Sequence, residues 1–195
     1  MGYHPTIIGG WAVYFYNPAF GSIDIDVILP TWETRDRIIN KYLKSNGYEI
    51  RKKAFGEAEW VKLLETENPD SVTYLDVCIL LDKNLVYGKD IEIPWSIAFE
   101  WQRNKKVQNA EKFLLDPEPL LVLKAKAAWD RSYDIEKSGG SPFLKDKVIK
   151  DRFDILILIS KYDMRQDIIN KIVLEYEFKE CFNDALGRVF SAQDI

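Results

Sequence analysis

The chain has 195 residues, of which 47% are hydrophobic and 30% charged, a composition typical of ordinary globular proteins with one medium-sized domain or two small ones. The formal net charge of −4 excludes a general affinity for the nucleic-acid backbone, so stable nucleic-acid binding is not indicated. The apolar runs are too short or too charged to span a membrane, and two distant cysteines without a signal peptide predict a reduced, cytoplasmic setting.

A short apolar strand near the start of the chain ends at Gly9-Gly10 and is followed by an apolar helix, predicted over residues 11–16. Glycines let the backbone approach a ligand closely, and the free N–H groups at the start of a helix favour phosphate. Two glycines before a helix also occur in simple tight turns. The pattern therefore indicates a phosphate site or a turn.

The next strand carries two carboxylates, Asp24 and Asp26, separated by one apolar residue. Strand side chains alternate between faces, so both carboxylates project from one face, roughly 7 Å apart, while Ile25 and Val27 take the opposite face. Neighbouring carboxylates repel each other unless they share a cation, and Mg²⁺ is commonly held by one or two carboxylates together with substrate phosphates. A solvated edge strand is the alternative. The hydroxyl of Ser22, just before this strand, can contact a phosphate or end a turn.

The middle of the chain predicts one helix and three strands. The helix runs from about Trp32 to Leu43 and is capped by Thr31, with a buried stripe of Ile38, Ile39, Tyr42 and Leu43. Gly47 ends this region, and strands follow over about 48–53, 59–65 and 72–81.

Asp76 is the one charged residue in the apolar centre of the 72–81 strand. A lone carboxylate in a buried strand must be paired, protonated or bound to a metal. Glu65 and Asp82 are the alternative acidic residues, but each lies at a strand end where solvation is easy. Asp76 is therefore the favoured third carboxylate.

Short strands are predicted at 86–87 and 91–94, followed by the basic run Arg103–Lys106. We predict that this run is a solvated turn. Its functional alternative is a contact to a nucleotide or to an acidic acceptor.

The last third of the sequence is helical in character. Asp116-Pro117-Glu118 begins a helix predicted to reach about Tyr133, and a second helix is predicted over about 144–162. Lys124, Ala127, Ala128 and Arg131 share a face of the first helix, Lys126 falls off that face, and Asp151 and Asp154 share a face of the second. Two amphipathic helices, 166–173 and 175–190, follow.

The spacing of Gly9-Gly10 and Asp24-x-Asp26, with thirteen residues between Gly10 and Asp24, resembles the signature of the nucleotidyltransferase superfamily that includes DNA polymerase beta. It is closest to the aminoglycoside, toxin-type and minimal nucleotidyltransferases. A second pattern resembles the C-terminal motif of the toxin-type enzymes: Pro119, Lys124, Ala127 and Arg131, then Lys150, Asp151 and Asp154. One departure is that no Arg or His stands just before the first aspartate.

The resemblance implies an α+β fold, in which a nucleotidyltransferase-like mixed β-sheet flanked by helices spans residues 1–115. A C-terminal helical domain over 116–195 would complete the cleft. The catalytic and metal-binding residues implied are Asp24, Asp26 and Asp76, which would hold two Mg²⁺ ions, with Mn²⁺ as an alternative metal. The nucleotide-binding residues implied are Gly9, Gly10, Ser22, Lys124, Arg131 and Asp151. The structural alternative for the helices is an ion pair of Arg131 with Asp151 or Asp154.

The implied activity is transfer of an NMP, preferably AMP from ATP, to an acceptor hydroxyl on a small molecule, a protein or an RNA. Two other classes compete with this hypothesis. One is a catalytically inactive nucleotide-binding module or regulatory partner, and the other is an unrelated α/β protein that binds a structural ion. The sequence identifies neither the acceptor nor the oligomeric state.

Overall fold

The computed structural model describes residues 4–18, 21–22, 24–52, 58–64, 73–80, 84–87, 91–107 and 110–191. The strands of this part of the chain are β1 (Thr6–Ile8), β2 (Asp24–Ile28), β3 (Glu49–Lys52), β4 (Ala58–Leu64), β5 (Thr73–Leu80), β6 (Asn84–Tyr87), β7 (Ile91–Pro94), β8 (Gln102–Val107) and β9 (Ala110–Leu115). The helices are α1 (Gly9–Tyr16), α2 (Trp32–Ile38), α3 (Ile97–Glu100), α4 (Pro117–Ser138), α5 (Pro142–Lys161), α6 (Gln166–Glu175) and α7 (Lys179–Ser191). None of the described helices combines the length and apolar character needed to cross a membrane.

The chain divides into two compact units. The first comprises Met1–Lys83 and Trp95–Leu115, and the second comprises Asn84–Pro94 and Asp116–Ile195. The first unit contains a mixed seven-stranded sheet in the order β3-β4-β5-β2-β1-β9-β8, in which β1 runs antiparallel to β2 and parallel to β9, and β2 runs parallel to β5. The second unit contains the β6-β7 hairpin and helices α4 to α7. The mixed sheet, its helices and the C-terminal helical region confirm the predicted α+β fold class.

The helix after β2 confirms the predicted Thr31 cap but not the predicted buried stripe. The Thr31 hydroxyl accepts a hydrogen bond from the Thr34 N–H, and Ile39 and Leu43 are buried, whereas Tyr42 is 56% exposed. The prediction for Tyr42 is wrong because α2 continues into a π-helical turn over Ile39–Leu43. This turn has more than four residues per turn, so a residue three positions after Ile39 rotates away from the core.

The basic run Arg103–Lys106 lies in β8, so the predicted solvated turn is wrong. β8 pairs with β9 and ends the sheet, and charged residues are common on such edges because one side faces solvent. The Lys105 ammonium donates a hydrogen bond to the carbonyl of Phe15 near the C-terminus of α1, where a cation is favoured. Burial lowers the pKa of Lys105, and the nearby charge of Arg103 adds to the effect. Lys105 therefore stabilises the end of α1.

Helix α4 is the centre of the helical unit, since it packs against α5, α6 and α7. Of its 22 residues, 14 are buried, as expected for a helix covered on most sides. It ends at Ser138 rather than near Tyr133, because Gly139 takes the left-handed conformation (φ 78°) that ends a helix.

The start of α4 is tied to the segment between α5 and α6. The Arg165 guanidinium donates hydrogen bonds to both carboxylate oxygens of Glu118, at 2.9 Å each, and to Asp116 at 3.2 Å. Burial raises the pKa of Glu118, but the hydrogen bonds with Arg165 outweigh it and hold that pKa below the ordinary value. The pair keeps an otherwise costly buried carboxylate ionised.

Lys126 is fully buried in α4 and pairs with Asp130 one turn later. Its ammonium lies 2.9 and 2.7 Å from the two Asp130 oxygens and 5.9 Å from the centre of the Phe178 ring. Burial raises the pKa of Asp130 to about 6, although the hydrogen bond and charge of Lys126 act in the opposite direction. Each ion of this pair is therefore tolerated in the core because of the other.

We expect Lys126→Met to reduce the free energy of unfolding by about 3–5 kcal/mol at pH 8, because it leaves Asp130 buried without its cation. The loss should be smaller at pH 5. A carboxyl whose pKa is raised on folding binds more protons in the native state, so its contribution is largest at low pH and is lost as pH rises. Urea denaturation at both pH values measures this. Lys137→Met, an exposed change in the same helix, is the control, and equal losses at the two pH values would contradict the explanation.

Candidate active site

The pairing of β1 with β2 brings the Gly9 backbone against the side chain of Asp26. Ile8 is the register partner of Asp26, and Gly9 follows directly with a φ of 66°. A Cβ at Gly9 would lie only 3.0 Å from Asp26 Cγ and would collide with the carboxylate oxygen. Both the positive φ and the lack of space require glycine at this position. The start of α1 is thereby held next to a carboxylate of β2.

Asp24 and Asp26 stand at alternate positions of β2, so both are on one face of the sheet, and both are half-buried. The Ser22 hydroxyl donates a hydrogen bond to Asp24 Oδ1. This contact shows that Ser22 orients the first carboxylate.

The parallel pairing of β2 with β5 places Asp76 directly beside Asp24 as its register partner. The next matching pair is Asp26 with Cys78. The alternative third carboxylates, Glu65 and Asp82, lie outside the described residues. All three predicted catalytic positions therefore belong to two neighbouring strands in the middle of the sheet.

The chemistry of the β2 carboxylates fits a hard divalent cation. Asp24 and Asp26 supply oxygen donors from one face, and the missing side chain at Gly9 allows the Asp26 carboxylate to lie directly against the start of α1. Within the described ranges, no group of three His, Cys, Asp or Glu side chains forms a metal cluster. Mg²⁺ is often held by one or two carboxylates, with substrate phosphates and water as its other ligands. Two carboxylates on one face of β2 match this part of a magnesium ligand set.

Trp11 is a further polar residue near the Gly9 turn that the sequence pattern does not indicate. It occupies the first turn of α1, and its indole Nε1 is buried without a hydrogen-bond partner among the described residues. No sequence signal distinguishes this tryptophan from one that merely packs on the sheet. Its indole N–H is therefore a hydrogen-bond donor available to a ligand, and it lies close in sequence to the Gly9-Gly10 turn.

The residues predicted on α4 and α5 form an ion-pair cluster in the second unit. Lys124 Nζ lies 2.6 Å from Asp154 Oδ2 and 3.2 Å from Asp151 Oδ1, and Arg131 pairs with the other oxygen of Asp151. The two carboxylates are almost fully buried, with 4% and 2% of their side chains exposed, whereas 31% of Arg131 is exposed. Two cations and two carboxylates balance in charge. A phosphate that contacted Lys124 would have to compete with both aspartates.

No protein-family model matches the chain, and no curated protein matches it. Solved structures share its fold. One is an antigenic nucleotidyltransferase-like protein from Paracoccidioides brasiliensis, 16% identical, with a TM-score of 0.50 over 92% of this chain and 84% of that one. Another is ANT(2'')-Ia in complex with adenylyl-2''-tobramycin, 12% identical, with a TM-score of 0.51 over 91% of this chain and 89% of that one. The chain therefore has the nucleotidyltransferase-like fold that its sequence resembles.

We expect Gly9→Ala to destabilise the protein more than Gly47→Ala, its matched control. Both glycines have a positive φ, a backbone conformation that costs a residue with a side chain about 1–2 kcal/mol. The two positions differ in space, because an added Cβ would collide with Asp26 at Gly9 but would meet nothing at Gly47. Urea denaturation of the two variants isolates the collision. The excess loss should disappear when Gly9→Ala is made in an Asp26→Ala background. An equal loss at the two glycines would refute the close approach.

Proposed function

We propose that the protein is a metal-dependent nucleotidyltransferase that transfers an NMP, with AMP from ATP as the preferred donor, to an acceptor hydroxyl. The observation that carries this proposal is the packing of the Gly9 turn against Asp26, with Asp24 and Asp76 side by side in the sheet. A helix start beside a carboxylate pair provides donors for phosphate oxygens and ligands for the accompanying cation.

In this proposal Asp24 and Asp26 hold Mg²⁺, or Mn²⁺ in its place, and Asp76 completes the site for a second ion. When bound, such ions neutralise the charge that develops on the attacking and leaving oxygens of an in-line displacement. The N–H groups of Gly9 and Gly10 and the Ser22 hydroxyl orient the donor triphosphate.

Asp76 also helps to remove the proton of the acceptor hydroxyl. The acceptor oxygen forms a bond to the α-phosphorus while the bond from that phosphorus to the bridging oxygen breaks, and pyrophosphate leaves. This proton transfer requires Asp76 to be an ionised carboxylate that can reach the acceptor hydroxyl.

The roles of Lys124, Arg131 and Asp151 toward the donor phosphates remain proposals taken from the resemblance. Their mutual ion pairs favour a structural role, because the positive charge of Lys124 is already balanced by two carboxylates. In the proposal, Lys124 contacts the leaving pyrophosphate only by giving up one of these partners.

The alternative is a module that binds nucleotide without turnover. The same turn and carboxylates would serve it, so binding alone does not separate the two functions. ANT(2'')-Ia, which has a similar fold, forms a complex with adenylyl-2''-tobramycin, and this supports an adenylyl donor for the proposed reaction. The acceptor hydroxyl belongs to a small molecule, a protein or an RNA.

We expect the double change Asp24→Asn and Asp26→Asn to abolish Mg²⁺-dependent ATP binding in calorimetry. The melting temperature should be unchanged or higher, since the substitution removes like charges from one face of β2. Retained binding at the parental affinity would locate the nucleotide elsewhere. Incubation with α-³²P-labelled NTPs and a cell extract, with the double variant as control, identifies both donor and acceptor.

Asp76→Asn is expected to reduce NMP transfer by roughly two orders of magnitude or more while ATP binding survives, as for loss of a group that acts mainly in the transition state. The melting temperature should not fall, because the change removes, at constant volume, one of two carboxylates that are register partners on neighbouring strands. A lower melting temperature with turnover kept would assign Asp76 a structural role instead.

A further inference from the structure

Strand β3 forms one outer edge of the seven-stranded sheet. Among the described strands, none pairs with that edge, so its backbone N–H and C=O groups can accept a further strand. The edge also carries Ile50, a large hydrophobic residue that is 59% exposed. An uncovered strand edge with an exposed apolar side chain favours pairing with another chain.

A shallow groove lies between this edge and helix α2 with its π-helical turn. Its apolar lining is Ile39, Ile50 and Trp60. Ile50 and Trp60 are register partners, so their side chains share one face of the sheet, and Trp60 packs against Ile39 on that face. The exposed Ile50 therefore points to the side of the sheet that the helix covers.

The polar wall of the groove is a stripe of Asp36, Asn40 and Lys44, three exposed residues at intervals of four. The Lys44 ammonium donates a hydrogen bond to Asn40 Oδ1 at 2.9 Å. Arg35 also lines the groove, 3.6 Å from Asp36, but 65% of the Asp36 side chain is exposed and can accept a second cation. The stripe thus has an acidic end and a basic end, roughly 12 Å apart, with a neutral residue midway.

The sequence of β3 has the same symmetric arrangement of charges, since Glu49 and Arg51 flank Ile50. When two copies of this strand pair in antiparallel direction about Ile50, position 49 of each copy stands opposite position 51 of the other. Opposite charges at directly opposed positions stabilise a sheet, whereas like charges would oppose the pairing. The edge is therefore complementary to a second copy of itself.

One two-fold axis perpendicular to the sheet satisfies the strand and the stripe together. Directly opposed residues of an antiparallel pair point to the same face, so the two Ile50 side chains meet on the face of the groove. The axis also reverses the partner's stripe, which brings Asp36 of each copy to the side of Lys44 of the other. Helices that lie over their own β4 strands would then be roughly 14 Å apart, three strand spacings. Side chains make a helix about 10–12 Å wide, so the two stripes can meet.

We propose that β3 and the groove beside it form a symmetric interface between two copies of this chain. The two β3 edges pair about Ile50, the two Ile50 side chains contact each other between the helices, and Asp36 pairs with Lys44 of the other copy at two equivalent places. Such an interface is isologous, because each copy contributes the same surface. This inference is independent of the proposed catalytic function.

Sedimentation of the full chain should show a species of about twice the 22.8 kDa chain mass as its concentration approaches roughly 1 mM. Asp36→Lys and Lys44→Asp should each raise the dissociation constant about tenfold, because symmetry makes each reversal repel at two places. Glu33→Lys and Lys41→Asp are the matched controls and should leave it unchanged. They are exposed on the same helical segment, also eight residues apart, but do not line the groove.

Mixing the two groove variants distinguishes a specific contact from a general loss of stability. Asp36→Lys and Lys44→Asp each repel their own kind, but one copy of each brings opposite charges together at both contacts. An equimolar mixture should therefore dimerise about as tightly as the parent, although neither variant does so alone. A variant that only folds less well would not recover in this way.

Ile50→Cys tests the register of the two strands. Opposed residues of an antiparallel pair have Cα atoms about 4.5–5.5 Å apart, within the range of a disulfide. Under mild oxidation Ile50→Cys should cross-link two copies, and Glu49→Cys, whose counterpart is displaced by two positions, should do so much more slowly. Three results would overturn the proposal: a chain that stays monomeric near millimolar concentration, groove variants that behave like their controls or do not recover on mixing, or equal cross-linking at positions 49 and 50.

Discussion

The close approach of the Gly9 backbone to the Asp26 carboxylate is the constraint on which the first unit depends. β1 lies between β2 and β9 in the sheet, so the direction in which the chain leaves β1 fixes the start of α1. A side chain at residue 9 would push α1 away from β2 or displace the carboxylate. One glycine with a positive φ therefore couples the strand pairing, the helix start and the position of a candidate metal ligand.

The second unit depends on a different constraint, the compensation of charges inside α4. Glu118, Lys124 and Lys126 are all buried, and each has an opposite charge within ion-pair distance: Arg165 for Glu118, Asp154 for Lys124, and Asp130 for Lys126. Buried ion pairs add little net stability, but an uncompensated member costs several kcal/mol. Our hypothesis is that these pairs fix the rotation of α4 against its neighbours, because any other rotation would leave charges alone in the core.

The sequence predicted the local features of this fold and site and missed those that depend on distant contacts. The Gly9 turn and the Asp24-x-Asp26 alternation are readable because glycine and strand periodicity act over a few residues. The π-helical turn that exposes Tyr42 and the edge strand β8 have no local hydrophobic signal. In the sequence, Lys126 and Asp130 look like an ordinary solvent-exposed pair four residues apart. The pair is buried because α7, together with Phe178 just before it, packs against this part of α4. The pairing of Asp76 with Asp24 also depends on distant contacts, and the family resemblance rather than a local pattern placed Asp76 with the β2 carboxylates.

The side chains of strand β2 alternate, so one face of the strand is acidic and the other is apolar. Its carboxylates are on one face, and Val27 and the following Leu29 pack on the other with Ile39, Leu43 and Trp60. That apolar cluster allows a half-buried pair of like charges to stand in the middle of a sheet, since burial on one face offsets repulsion on the other. At its far side the cluster ends at Trp60, which is the register partner of Ile50 on β3. The packing that supports the candidate active site therefore lies on the face of β2 opposite its carboxylates.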